Sequence, residues 1–298
     1  MADQFDVIEA GERGRRRWVG IAVVLALPAI CIVGLLASRD PEPGQVPPPS
    51  AAPVPVPVPI RSLTRIEGAP NVVRAPAKVK GGDEVIPVVF PDGRHADVRY
   101  PAELRLNELG ARPFVGAWVA GHYRGLYAPY GGEMEISRGA QPIRNFTPNV
   151  TLWPRQPGGG PNGQVLMFAF GKWRLAMNDT PEGLAFEERL AAAKSLRGKV
   201  GKDGYLVLSG SGDAIRLAEP GETARGDPVG PQLWFGGGVG DMVALIPTPD
   251  CQKAARTPSV DGRGRPVRVV CRGDVQIAAS GSRSFVEHAI DGIRITLK

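Results

Sequence analysis

Three of the five tyrosines fall within eight residues, in the run His122-Tyr123-Arg124-Gly125-Leu126-Tyr127-Ala128-Pro129-Tyr130. Tyrosine offers a flat contact face and a hydroxyl at low entropic cost, which suits sugar or peptide recognition. His122 and Arg124 add donors for anionic groups. His122, Tyr123, Arg124, Tyr127 and Tyr130 therefore form the candidate ligand patch. The competing reading is a tyrosine-rich loop packed over a core, because half-buried tyrosine is ordinary.

Catalytic chemistry is harder to find. A nucleophile needs a base beside it, and the chain contains no GxSxG, SxxK or HExxH run. Residues 158–163 match GxGxxG in letters, but they lie among prolines with no strand before and helix after, as a dinucleotide site requires. The glycines at 236–240 are not followed by Lys-Ser or Lys-Thr, so they make no phosphate loop. His95, His122 and His288 are far apart and no CxxC occurs, which argues against zinc. The sequence thus implies no cofactor, no metal centre and no nucleic-acid partner. Arg272-Gly273-Asp274 matches an adhesion tripeptide, yet between two predicted strands a tight turn is the simpler account.

Cysteine usage depends on compartment, and the compartment is set at the N-terminus. Residues 18–37 run from Trp18 to Ala37 without a charge, the length a helix needs to cross a bilayer. Arg13, Arg15, Arg16 and Arg17 precede this run and Arg39 follows it, so the positive-inside rule puts residues 1–17 in the cytoplasm. Leu35 spoils a cleavage site ending at Ala37, and Ile30 spoils lipid attachment at Cys31, which favours an uncleaved signal-anchor. Pro28 within the run is tolerated in lipid. On the far side of the membrane a disulfide persists. Cys251 and Cys271 are the two cysteines there, so they are expected to pair.

Residues 38–83 form the expected linker. Within it, the Val-Pro alternation at 53–59 fixes φ at every second position and removes every second amide donor, as in a polyproline II spacer. Ordered structure is expected to begin near Glu84. From there Gly and Pro, 39 and 30 in the whole chain, punctuate short apolar runs, which predicts a turn-rich β domain. A hairpin is predicted over 85–100 around Pro91-Asp92-Gly93. Strands are predicted over 114–122, 133–137, 149–153, 164–177, 205–209, 214–217, 232–235, 242–246, 267–271, 275–279 and 293–297, with Asp291-Gly292 as a last hairpin turn. One main helix is predicted over 180–196, capped by Asp179 or Thr180. The expected fold is a single transmembrane helix, a Pro-rich stalk and an α+β, mainly antiparallel β, ectodomain at 84–298, with a possible sub-boundary near 180–200.

The net charge is +6. Residues 61–298 carry 31 basic and 24 acidic side chains, a balance that suits acidic wall glycans or lipid headgroups, or else a plain solvated surface. Arginine outnumbers lysine, and Ala, Gly, Pro and Val are abundant, which points to a GC-rich bacterial source. The functional expectation is a single-pass, non-enzymatic module of a bacterial cell envelope that binds cell-wall glycan or another envelope protein. The alternatives are an envelope hydrolase and a membrane signal transducer.

Overall fold

Period-two alternation of apolar and polar side chains builds the first sheet. β2 (Asp83–Val89) turns Ile86 and Val88 inward, and β3 (His95–Pro101) turns Ala96, Val98 and Tyr100 inward. The predicted turn joins them, with Gly93 at φ 89° and its amide donating to the Phe90 carbonyl. β1 (Lys78–Lys80) pairs with β2, and the last strand, β19 (Arg294–Leu297), pairs with β3. The computed structural model describes residues 71–155, 163–180, 182–237, 240–252, 262 and 264–298. All of them belong to one compact unit, Arg65–Lys298. The expected anchor at 18–37, most of the linker and the glycine run at 158–163, up to Asn162, lie outside the described residues. Among those described, no helix is long and apolar enough to cross a membrane.

A second, much larger sheet carries the candidate patch. Its strands are β4 (Ala111–Val119), β5 (His122–Tyr127), β6 (Arg144–Thr147), β7 (Val150–Trp153), β8 (Val165–Phe170) and β9 (Trp173–Asn178). β10 (Leu196–Val200) and β11 (Leu206–Gly210) pair apart from this sheet, which continues with β12 (Ile215–Leu217), β15 (Gln232–Gly236), β16 (Met242–Pro247), β17 (Val267–Arg272) and β18 (Val275–Ser280). The spatial order is β17-β18-β16-β15-β4-β5-β9-β8-β7-β6, with β12 pairing onto β4. All pairings among the described residues are antiparallel. The mainly antiparallel α+β expectation therefore holds.

One face of this sheet, with Val115, Ala117, Leu126, Phe168, Leu175, Leu245 and Ile277, packs with the first sheet into the main core. α4 (Arg283–Gly292) joins that core through Val286, Ala289 and Ile290. The opposite face is covered only in places. One apolar cluster surrounds Trp153 and Met167, a second Ala244 and Ala278, and a third Ala218, Ala224 and Val229. Between the clusters the sheet stays open.

Several expected elements are corrected. Order begins before Glu84: Val72, Val73 and Ala75 are buried, and Val73 bridges to Ala111. The expected strand 114–122 is two strands, because Ala120 and Gly121 both take positive φ, 50° and 80°, as a two-residue type I′ hairpin turn demands. The long run 164–177 likewise folds back at Gly171-Lys172, with Gly171 at φ 56°. Residues 133–137 form a short helix, α2 (Glu133–Ser137), rather than a strand. It buries Ile136 against the Trp153 cluster, and Glu135 accepts the Gly131 amide at 2.9 Å.

The expected helix 180–196 is shorter, α3 (Phe186–Ser195), because Gly183 at φ 75° interrupts the run. Glu188 caps α3 by accepting the Ala185 amide at 2.7 Å. Asp291-Gly292 ends α4 instead of turning a hairpin. That helix was missed, although Ser282 caps it, accepting the Phe285 amide at 3.2 Å, and Val286, Ala289, Ile290 and Ile293 follow helical spacing.

The expected Cys251–Cys271 disulfide is present, with Cα atoms 5.8 Å apart. It ties the segment after β16 to β17. Gly273 at φ 58° turns β17 into β18, so Arg272-Gly273-Asp274 is a hairpin tip.

Candidate functional site

Glycines opposite aromatics shape the open part of the sheet. In the β4–β5 register Phe114 faces Tyr127, Gly116 faces Gly125, and Trp118 faces Tyr123. All six project to the open face, because direct partners share a side of the sheet. The glycines leave room for rings to lie diagonally. A Cβ on Gly116 would meet Tyr123 Cε2 at 2.9 Å, and one on Gly125 would meet Phe114 Cε2 at 3.3 Å. β15 adds Trp234 and Gln232 to the same face, since Gln232 pairs with Phe114.

The result is a run of half-buried rings. Phe114 stacks on Trp234 with centroids 4.6 Å apart, and Trp118 meets Tyr123 edge-on at 5.7 Å. Arg112 continues the run beneath Trp234, its guanidinium carbon 5.5 Å from that ring and 6.0 Å from the ring of Tyr130. Burial pushes the Arg112 guanidinium below its ordinary pKa. Its donors are satisfied by carbonyls: Nε and Nη2 reach Gly236 O at 3.1 and 2.9 Å, and Nη1 reaches Ala128 O at 2.8 Å.

Trp118 is fixed from its polar end. Its Nε1 donates to Glu222 Oε1 at 2.6 Å. Arg216 holds the same carboxylate through Nη1 and Nη2 at 2.9 and 2.7 Å, and lies over the indole at 5.6 Å. The Arg216 hydrogen bonds, followed by the Glu219 amide and the indole N–H, outweigh partial burial and hold the Glu222 carboxyl down at about 2. At neutral pH Glu222 is therefore an anion that locks the indole plane.

A groove of about 1110 Å³ runs along these rings. One wall is the sheet, with Phe114, Trp118, Tyr123 and Trp234. The second is a small hairpin, β13 (Thr223–Ala224) and β14 (Asp227–Pro228), whose tip Arg225-Gly226 takes positive φ at 55° and 88°. The third is made by Thr180, Glu182 and Gly183 ahead of α3 and by Glu188 in its first turn. Glu182, Glu188 and Asp227 place carboxylates along the groove, and beneath them the buried Gln232 donates through Nε2 to Pro228 O and accepts the Trp234 indole N–H at Oε1, both at 2.8 Å. Burial, reinforced by the Asp227 charge, pushes the Tyr123 hydroxyl up to about 12, so it stays a protonated donor.

The third wall is pinned by a buried ion cluster. Asp179 Oδ1 receives Arg124 Nε and Nη2 at 3.0 and 2.9 Å, and Oδ2 receives Arg189 Nε and Nη2 at 3.2 and 2.9 Å. The amides of Thr180 and Leu184 add bonds of 2.9 and 2.7 Å. Burial alone would raise the Asp179 pKa. The Leu184 amide, Arg189, the Thr180 amide and Arg124 together outweigh it and hold the carboxyl below its usual range.

Three members of the sequence-derived patch, His122, Tyr123 and Arg124, line the groove. The guanidinium of Arg124 is committed to Asp179. Tyr127 and Tyr130 lie elsewhere on the same sheet face. Tyr127 packs against the Trp153 cluster and accepts a hydrogen bond from Asn178 at 3.2 Å, and Tyr130 stands over Arg112. Sequence reasoning missed Phe114, Trp118 and Trp234. The signal for two of them was present in Phe114-x-Gly116-x-Trp118 followed by Tyr123-x-Gly125-x-Tyr127. Aromatic and glycine alternate there at strand period on both arms of one hairpin. Among the described residues no group of three or more His, Cys, Asp or Glu is placed to hold a metal ion.

No protein-family model matches the chain. No curated protein and no solved structure matches it either. The functional reading accordingly rests on the groove and the sequence.

Proposed function

We propose that the chain is a membrane-anchored, extracytoplasmic binding module of a bacterial cell envelope, with its ligand seated in the aromatic groove. The observation that carries the reading is the set of four half-buried rings, Phe114, Trp118, Tyr123 and Trp234, that line one groove, with Trp118 and Tyr123 packed against the Val229 cluster and Trp234 against the Ala244 cluster. A concave site with aromatic walls and a few placed polar groups is the usual form of a ligand pocket. The uncharged run at 18–37 and the Pro-rich segment after it support an anchor and a stalk. Partners in this reading are the membrane and either wall glycan or another envelope protein.

Retention of the full chain by purified wall sacculi, or by a defined envelope protein, tests the proposal. Binding lost in Trp118→Ala is the expected result, and no retention by walls or by membrane extract counts against it. Protease added to spheroplasts is expected to remove residues 71–298, whereas protection of that part would reverse the orientation.

A second reading, an envelope hydrolase, draws on the carboxylates of Glu182, Glu188 and Asp227 at the groove, because paired carboxylates can cleave glycosides. Release of new reducing ends from sacculi, abolished in Asp227→Asn, would establish it. Intact sacculi after prolonged incubation would remove it.

A further inference from the structure

The groove does not end at Trp118. A second cavity of about 610 Å³ lies on the far side of that indole and shares Trp118 and Gly121 with the first. The two adjoin as one trough, with Trp118 as the rib between them. Along β4 alone the aromatic stretch from Phe114 to Trp118 covers about 13 Å. A small ligand has no use for that length, whereas a polymer with repeating units does.

Charge narrows the class of polymer. Although the chain is basic overall, the groove is not. Glu182, Glu188 and Asp227 line it, against Arg225 at the hairpin tip, His122, and the buried Arg124, whose guanidinium shares the Asp179 carboxylate with Arg189, so acidic groups hold a small excess at the rim. An acidic strand is repelled by that rim. At the groove the rim sets the sign, against the basic net charge of the chain. The rings stand on the face of the sheet, whereas the edge strand β12, which among the described residues pairs only with β4, borders the second cavity. Flat rings flanked by carboxylate acceptors match sugar units. A pyranose presents C–H groups to the negative face of an aromatic ring and hydroxyls around its rim. Glu222 and Arg216 hold the central ring in place, so Glu222 is a positioning residue.

Resting on the binding-module reading, we infer that the trough binds a linear glycan strand free of acidic substituents, with Trp118 as the platform between adjoining subsites. The test titrates the full chain, purified in detergent, with chito-oligosaccharides of two to six sugars, following tryptophan emission and heat. Affinity is expected to rise from the disaccharide to at least the tetrasaccharide. Trp118→Ala is expected to weaken the tetrasaccharide about tenfold or more, and Trp118→Phe to restore most of the loss, with both variants checked for folding by circular dichroism. Oligogalacturonate of equal length is expected to bind at least about tenfold more weakly, and to gain affinity in Asp227→Asn. Affinity independent of length, or equal affinity for the acidic oligomer, overturns the inference. If sacculi are retained but no oligosaccharide binds, the glycan inference fails and the binding module stands. If neither binds, both fail.

Discussion

Replacing Asp179 by alanine probes how the groove wall is held. The Asp179 side chain is 1% exposed and that of Arg124 is 7% exposed, so the substitution strands a buried guanidinium and leaves Arg189 half-anchored. It also removes the acceptor for the Thr180 and Leu184 amides. Breaking a buried ion cluster from one side costs about 3–5 kcal/mol. With a urea dependence of about 3 kcal/mol per molar, the unfolding midpoint should fall by ~1–1.7 M.

The pH dependence has a definite sign. The folded-state pKa of Asp179 is depressed, so its contribution is fully present above the unfolded carboxyl value of about 3.9 and is lost as pH falls through the lower folded value. The gap between wild type and Asp179→Ala is therefore constant from neutral pH down to about 5 and closes below about 4. Urea unfolding followed by circular dichroism at a series of pH values measures both quantities. A loss under about 1 kcal/mol at pH 7, or a gap unchanged by acid, would refute the cluster as the pin of the wall.

Gly116→Ala places a Cβ 2.7 Å from the Val229 carbonyl and 2.9 Å from the Tyr123 ring. It should cost about 1–3 kcal/mol in unfolding experiments and alter the near-ultraviolet spectrum of Trp118 and Tyr123. The Glu222 carboxyl, followed by carbon NMR, should titrate near 2, held down chiefly by Arg216. A midpoint at its ordinary 4.5 would mean that the Arg216–Glu222–Trp118 lock is not formed in solution. Replacing Cys251 and Cys271 by serine opens a loop with a sequence separation of 20 residues, and should lower stability by about 3 kcal/mol.

The β character of the domain was legible because most of its strands alternate or run apolar between glycine and proline turns. The 85–100 hairpin was clear for that reason, since Pro-Asp-Gly specifies its own geometry. Turns without such chemistry were not legible. Ala120-Gly121 and Gly171-Lys172 sit inside apolar runs, and both were read through as continuous strand. The helix at Arg283–Gly292 lies between the predicted strands 275–279 and 293–297, and Asp291-Gly292 resembles a hairpin turn closely enough to hide the helical spacing before it. The site was half legible. The tyrosine cluster led to β5, but which faces β4 and β15 present depends on long-range register. Trp234 reaches Phe114 only because β15 pairs with β4 across more than a hundred residues of chain. The Asp179 cluster was hidden for the same reason, with Arg124 and Asp179 separated by 55 residues.

The seat of the ligand is tested most directly by hydroxyl-radical footprinting of the full chain with and without solubilised wall fragments, read by mass spectrometry at each tryptophan and tyrosine. Trp118, Tyr123 and Trp234 should be protected on binding, while the buried Trp153 and Trp173 serve as unreactive controls. Bound fragments that leave Trp118 and Tyr123 as reactive as before would place the ligand somewhere other than the groove.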